Sequence, residues 1–217
     1  MYKRTVVLVE DETFLRSLLA DSLEKAGFLV TTAATAADAR RAINAVNPDA
    51  VILDIDLGPG PSGLDIGEAL IAQSPDIAIV YLTAISDIRL LDEVGRKIHP
   101  HAAYLNKALI EDTHVLAEAL EAVLTDGDTS KFRHDKRKDR PLVNLSLTQI
   151  QILKLIAEGK TNQQIAAIRQ RSLSATEGSI SRAFAALGIE ASSEINARVL
   201  AVRKFLTASG LMQADGN

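Results

Sequence analysis

Three short apolar runs, each ending on polar or charged groups, constrain this chain most. Val6-Val7-Leu8-Val9 leads into Glu10-Asp11, Ala50-Val51-Ile52-Leu53 into Asp54, and Ala102-Ala103-Tyr104-Leu105 into Asn106-Lys107. Runs of this length without polar alternation read as parallel strands buried on both faces. Parallel neighbours in an open α/β sheet bring their carboxyl ends to one edge, where such sheets carry their sites. Carboxylates gathered there repel one another, and a hard divalent cation relieves that repulsion. Mg2+ suits a site of few carboxylates completed by waters and a phosphoryl group. A carboxylate can also act as a nucleophile toward phosphorus, and a lysine offers a point positive charge to phosphoryl oxygens.

The front half alternates strand and helix signals. Strands are predicted near 4–9, 28–32, 50–53, 77–82 and 102–105, and helices near 12–26, 36–46, 64–73, 87–97 and 112–125. Asp11 is placed to cap the first helix, and Gly27 stops it. Five such units imply a doubly wound parallel sheet. The turn Gly58-Pro59-Gly60-Pro61 lies on the surface beside Asp54.

This arrangement over residues 3–126 resembles the receiver domain of two-component response regulators. The resemblance implies strand order 2-1-3-4-5. It sets Glu10 and Asp11 at the acidic pair, Asp54 at the phosphorylated aspartate, Thr83 at the switch hydroxyl, Tyr104 at the switch aromatic and Lys107 at the lysine. It also implies Mg2+ as cofactor, with the backbone carbonyl of Asp56 as a further ligand and its carboxylate in an exposed loop one residue longer than usual. A sensor histidine kinase is the implied phosphoryl donor. Thr83 and Tyr104 would form a bistable element biased by the phosphoryl charge. The family's lysine is usually followed by proline, whereas Lys107 is followed by Ala108. Either a trans peptide in a rearranged loop or a strained cis peptide is expected.

Charge divides the chain. The net −4 comprises 10 Lys/Arg against 21 Asp/Glu in residues 1–130, 6 against 2 in 131–143, and 8 against 5 in 144–217. An acidic front and a basic back suggest modules with different partners. The expected division is a receiver over 1–126, a basic linker over 127–143 and a third segment over 144–217. The linker run Lys131–Arg140 could touch phosphate backbone, contact the acidic front or stay solvated. The chain has no cysteine, so disulfides and thiol chemistry are excluded. The start lacks a signal-peptide pattern, and a cytoplasmic location is expected.

The back segment reads as helices. Ser146 opens one carrying Leu147, Ile150, Leu153 and Ile156 at helical spacing, and Gly159 ends it. Thr161-Asn162 opens a short second, Ser172–Leu187 forms a third, and Ser192-Ser193-Glu194 starts a fourth with Ile195, Val199, Val202 and Leu206 on one face. A short helix, tight turn and helix make a helix-turn-helix. Leu145-Ser146, Ala157-Glu158-Gly159, Thr161-Asn162, Ile165-Ala166 and Leu187-Gly188 give residues 144–206 a resemblance to the all-α, tetrahelical LuxR-type DNA-binding domain. The whole chain thus resembles a NarL/FixJ-type response regulator. Lys160, Thr161, Arg171, Ser174, Glu177, Gly178, Ser179 and Arg182 are the candidate DNA contacts. Ala175-Thr176-Glu177 stands where the family has Thr-Val-Lys. A glutamate repels phosphates but can accept from cytosine in the major groove.

The expected function is transcription regulation through DNA, with a homodimer formed on phosphorylation and the receiver supporting only its own phosphoryl chemistry. A protein-interaction regulator whose helix-turn-helix no longer reads DNA is the alternative. A Mg2+-dependent phosphohydrolase is disfavoured, because no general acid stands beside Asp54. His99, His101, His114 and His134 have no metal spacing.

Overall fold

The computed structural model describes residues 3–91, 98–110, 112–189 and 196–211. The chain divides into two compact units, Met1–Ala84 with Lys97–Arg137, and Ile85–Arg96 with Lys138–Asn217. The segment expected to be a linker is therefore shared, its division falling between Arg137 and Lys138.

The first unit is built on five parallel strands, β1 (Thr5–Val9), β2 (Leu29–Ala33), β3 (Ala50–Asp54), β4 (Ala78–Thr83) and β5 (Ala103–Asn106). Their order is β2-β1-β3-β4-β5, as the resemblance implies. Every residue of β3, β4 and β5 is buried, which is why these runs show no alternation. The helices α1 (Thr13–Lys25), α2 (Ala36–Val46), α3 (Gly63–Gln73) and α4 (His114–Leu124) connect or flank them. Leu19 and Leu23 of α1 and Leu116 and Leu120 of α4 pack with Leu8, Ile52, Val80 and Leu105 in one apolar cluster. Registers such as Val9↔Leu53 and Thr83↔Asn106 bring the strand ends to a common edge.

Two local expectations are corrected, and one pair of alternatives is decided. Asp11 does not cap α1: Glu12 holds the N-cap position, without a side-chain cap bond, and the Asp11 carboxylate lies among acidic neighbours instead. The helix predicted near 87–97 is, over its described part, a single 3-10 turn at Ile88–Leu90 followed by extended Leu91; residues 92–97 lie outside the described residues. The Asp87 side chain accepts from the Arg89 backbone and guanidinium, a local alternative to helical bonding. The Lys107–Ala108 peptide is trans, and Asn106 Oδ1 accepts from the Ala108 N–H at 2.8 Å, opening a 3-10 turn at Lys107–Leu109.

The segment after α4 covers the outer edge of β5. Arg133 bridges Tyr104 in parallel register, Phe132 joins the apolar cluster, and His134 Nδ1 accepts from the Asn106 N–H at 3.0 Å. Burial holds the His134 imidazole below the usual histidine range, and the nearby Arg137 charge adds to this. It therefore stays neutral and able to accept.

The second unit contains α5 (Leu147–Ala157), α6 (Asn162–Ile168), α7 (Leu173–Ala186) and α8 (Ala197–Ser209). Ser146 with Gln149, and Thr161 with Gln164, close reciprocal capping boxes on α5 and α6. Ile152, Ile156, Ile165 and Ile180 form its core, with Phe184 and Val202 packed against them. The predicted helix start at Ser192-Ser193-Glu194, and Ile195, lie outside the described residues. On α8 the buried positions are Ala201, Phe205 and Ser209. Val199 is 64% exposed, while Val202 of the same expected face packs against the core.

Within this unit Arg89 ties the 3-10 turn to the start of the helical array, donating to Leu142 O at 2.7 Å and to Leu145 O. Lys154 donates to Leu90 O at 2.9 Å, and Ser86 to the carbonyls of Ala208 and Ser209. Asp87 is fully buried. Burial alone would raise its carboxyl, but the Arg89 bonds outweigh it and hold the group below its ordinary 3.8. Such a depressed group contributes stability that is complete above its unfolded value and lost as pH falls through its folded one. Asp87→Asn should therefore destabilise the protein by roughly 3 kcal/mol near neutrality. The gap to wild type should stay constant above pH 4 and narrow below it, as urea unfolding at a series of pH values will measure.

Candidate functional site

The strand-end residues converge. Glu10 directly follows β1, and Asp54 ends β3. Carboxylate oxygens of Glu10, Asp11 and Asp54 all lie within 4.8 Å of one another. Glu10 and Asp54 are buried while Asp11 is exposed, so the cluster opens to solvent on the Asp11 side. From the end of β5, Lys107 reaches across. Its Nζ lies 2.7 Å from Asp54 Oδ2, to which it donates, and 2.6 Å from Glu10 Oε2. Glu10 Oε2 is buried and has no aligned hydrogen-bond donor among the described residues, so that second contact is an ion pair alone. Asp54 Oδ1 accepts from the Asp56 N–H at 3.1 Å.

The electrostatics follow from burial. It pushes the Glu10 carboxyl up to about 7 against the pull of Lys107, and the Asp54 charge adds to the push. Burial also raises Asp54, again against Lys107. It acts downward on Lys107, but the two carboxylates outweigh it and hold the ammonium above the usual lysine range. One cation thus serves two crowded carboxylates, and a third stands beside them. An all-oxygen donor set with an undirected buried oxygen fits a small hard cation such as Mg2+.

The remaining receiver candidates divide. Thr83 ends β4 opposite Asn106 and is fully buried. Tyr104 is also fully buried, inside β5 under the Arg133 bridge. Asp56 is exposed; its carboxylate accepts from the Gly58 N–H at 3.4 Å and stands outside the three-carboxylate group. Two further positioning residues emerge from the structure. Arg16 donates to the carbonyls of Glu10 at 2.7 Å and Asp11 at 3.0 Å, fixing the acidic turn. A basic residue one turn into the first helix was the available signal. Gly63 opens α3 against the Asp54 backbone: a Cβ there would fall 2.0 Å from Asp54 O. Ser62 and Asp65 hold that helix start with a capping box.

In the second unit Arg171, Ser174, Glu177 and Arg182 are exposed on or just before α7, and Gly178 and Ser179 are partly so. Arg182 donates to Ser179 Oγ at 3.0 Å. Thr161 is spent on capping α6, and the Lys160 carbonyl accepts from Arg198. Thr176 is buried, not surface-facing, and its hydroxyl has no partner among the described residues.

Gly63→Ala should destabilise the protein by about 1–3 kcal/mol, the usual cost of overpacking. Urea unfolding midpoints of the variant and the wild type check this.

The family model for the response regulator receiver domain matches residues 6–97. The chain is similar to the DNA-binding transcriptional activator DevR/DosR of Mycobacterium tuberculosis, 28% identical over 193 residues that cover 85% of this chain and 88% of that protein. It is similar also to the oxygen regulatory protein NreC of Staphylococcus aureus, 26% identical over 206 residues, 88% of this chain and 94% of the other. Among solved structures, the response regulator RcsB in its DNA complex matches with a TM-score of 0.59 and 20% identity, over 95% of this chain and 99% of that one, a likeness of fold. The five-stranded sheet in the order β2-β1-β3-β4-β5, the three carboxylates at its edge and the lysine that crosses to them agree with the receiver-domain match over residues 6–97, and over most of its length the chain is similar to response regulators that regulate transcription.

Proposed function

We propose that this chain is a response regulator of the NarL/FixJ type that accepts a phosphoryl group on Asp54 from a histidine kinase and, in response, regulates transcription through DNA contacts made by α7 and the residues around it. The observation that carries the reading is the carboxylate cluster of Glu10, Asp11 and Asp54 with Lys107 across it. A carboxylate oxygen of Asp54 attacks phosphorus. The new O–P bond replaces the P–N bond to the donor histidine, whose nitrogen leaves with the electron pair. Asp54 Oδ1 is held by the Asp56 N–H and Oδ2 by Lys107, so the nucleophile is oriented before the donor arrives. As the phosphoryl group forms, Lys107 shifts its charge toward the phosphoryl oxygens, and the Thr83 hydroxyl at the end of the neighbouring strand donates to another. Glu10, Asp11 and Asp54, with the Asp56 carbonyl, are the residues that would hold Mg2+. When bound, that ion neutralises the charge of the carboxylates and the phosphoryl group.

Relatives bearing the name of a DNA-binding transcriptional activator favour DNA over a protein target. The exposed basic residues around α7 supply the phosphate contacts that such binding needs. Val199, exposed on α8, is an apolar position open to a second copy of the chain, and the proposed active form is a homodimer.

Asp54→Asn should abolish incorporation of acid-labile phosphate from a small phosphodonor with Mg2+, and undiminished labelling of that variant would exclude Asp54 as the acceptor. Asp11→Ala should remove most Mg2+ affinity with the unfolding midpoint little changed, since Asp11 is exposed. Sedimentation of protein treated with Mg2+ and beryllofluoride should show a dimer that Val199→Glu disperses. A monomer at tens of micromolar, with or without DNA, would rule the dimer out.

A further inference from the structure

On α7 the buried residues Thr176, Ile180 and Ala183 face the unit's own core. At 100° per residue, the side away from that core presents Ser174, Gly178, Ser181 and Arg182, with Glu177 on its flank. Three of these four carry a hydroxymethyl group or no side chain at all. Arg182 is turned toward Ser179 Oγ, which leaves Glu177 as the long group of the exposed side that is not engaged by the helix itself. It is exposed and makes no hydrogen bond or ion pair among the described residues. A carboxylate there weakens any approach to phosphates, so a face that enters a DNA groove must give it a hydrogen-bond donor in return. The major groove offers donors on only two bases, the N6 amine of adenine and the N4 amine of cytosine. Adenine sets the acceptor N7 beside its amine, which repels the second carboxylate oxygen, while cytosine sets no acceptor there.

Gly178 supplies an independent observation. Glycine is the least favourable interior helix residue after proline. Packing does not require it here: a Cβ would meet only the Arg182 Nη1 atom, at an ordinary 3.5 Å. What the missing methyl does provide is a closer approach of the helix backbone immediately beside Glu177.

Resting on the DNA-binding reading above, we infer that Glu177 is the base-reading residue of α7, accepting a hydrogen bond from the N4 amine of a cytosine in the major groove, and that Gly178 lets the helix seat deeply enough for it to do so.

The test uses the full-length protein with Mg2+ and beryllofluoride, and duplexes selected from a randomised library. The enriched sequence should contain one cytosine per half-site whose replacement weakens wild-type binding by about tenfold. Glu177→Gln should move the preference at that position to adenine, and Glu177→Ala should flatten it while leaving the other positions read as before. Gly178→Ala should lose the cytosine preference yet raise the thermal midpoint, which separates deep seating from misfolding. An enriched sequence read identically at every position by wild type and Glu177→Ala would overturn the inference and leave DNA binding standing. So would a Glu177→Ala protein that binds all sequences more tightly by one common factor, since Glu177 would then only repel. Failure of the wild type to retain any duplex would overturn the DNA-binding reading itself and the inference with it.

Discussion

Everything at the sheet edge depends on one ammonium group. Lys107 stands within ion-pair distance of both Glu10 and Asp54, and without it two buried carboxylates would face each other in a medium that screens poorly. The cost of gathering them is visible in the direction of their shifts, upward through burial in spite of the lysine. The site is a concentration of negative charge held slightly short of compensation. Such a site responds strongly to any further charge, whether a cation that completes the balance or a phosphoryl group that upsets it.

The backbone around this group is correspondingly constrained. Arg16 holds the carbonyls of the acidic turn, Gly63 abuts the Asp54 carbonyl, and Asn106 caps the turn that carries Lys107. Each acts on main chain. Together they fix where the three strands release their side chains. The trans Lys107–Ala108 peptide fits this picture, because the capped 3-10 turn positions the lysine without any special isomer.

The sheet and its functional edge were legible because the signal is local and redundant. Strands β1, β3 and β5 carry unbroken apolar runs, and each leads directly into a residue of the charged cluster. The part that was not legible turns on partners far away in sequence. Residues 87–91 carry helix-compatible spacing, but Asp87 engages Arg89, whose other partners are the carbonyls of Leu142 and Leu145, more than fifty positions on. Periodicity cannot register such a competitor. The charged run after residue 129 misleads in the opposite way. Its composition suggests solvated chain, yet Phe132, Arg133 and His134 are buried, the arginine by pairing with Asp135 and the histidine by staying neutral. On α8 the face that carries Val199 and Val202 is split, Val202 packing on the core and Val199 standing exposed, and spacing alone does not tell which of the two is covered.

The covering of β5 has a consequence for how copies of this protein can meet. A parallel sheet has two rims of unpaired amides and carbonyls, and a bare rim invites a strand from another molecule. At the β5 rim the Asn106 amide is already given to an imidazole, and Tyr104 already has a bridging neighbour. No visiting strand can zip onto that rim unless the protein's own chain is first peeled away. Encounters between copies are thereby turned away from backbone-to-backbone growth, which has no natural end, and toward side-chain surfaces, which close after a fixed number of partners.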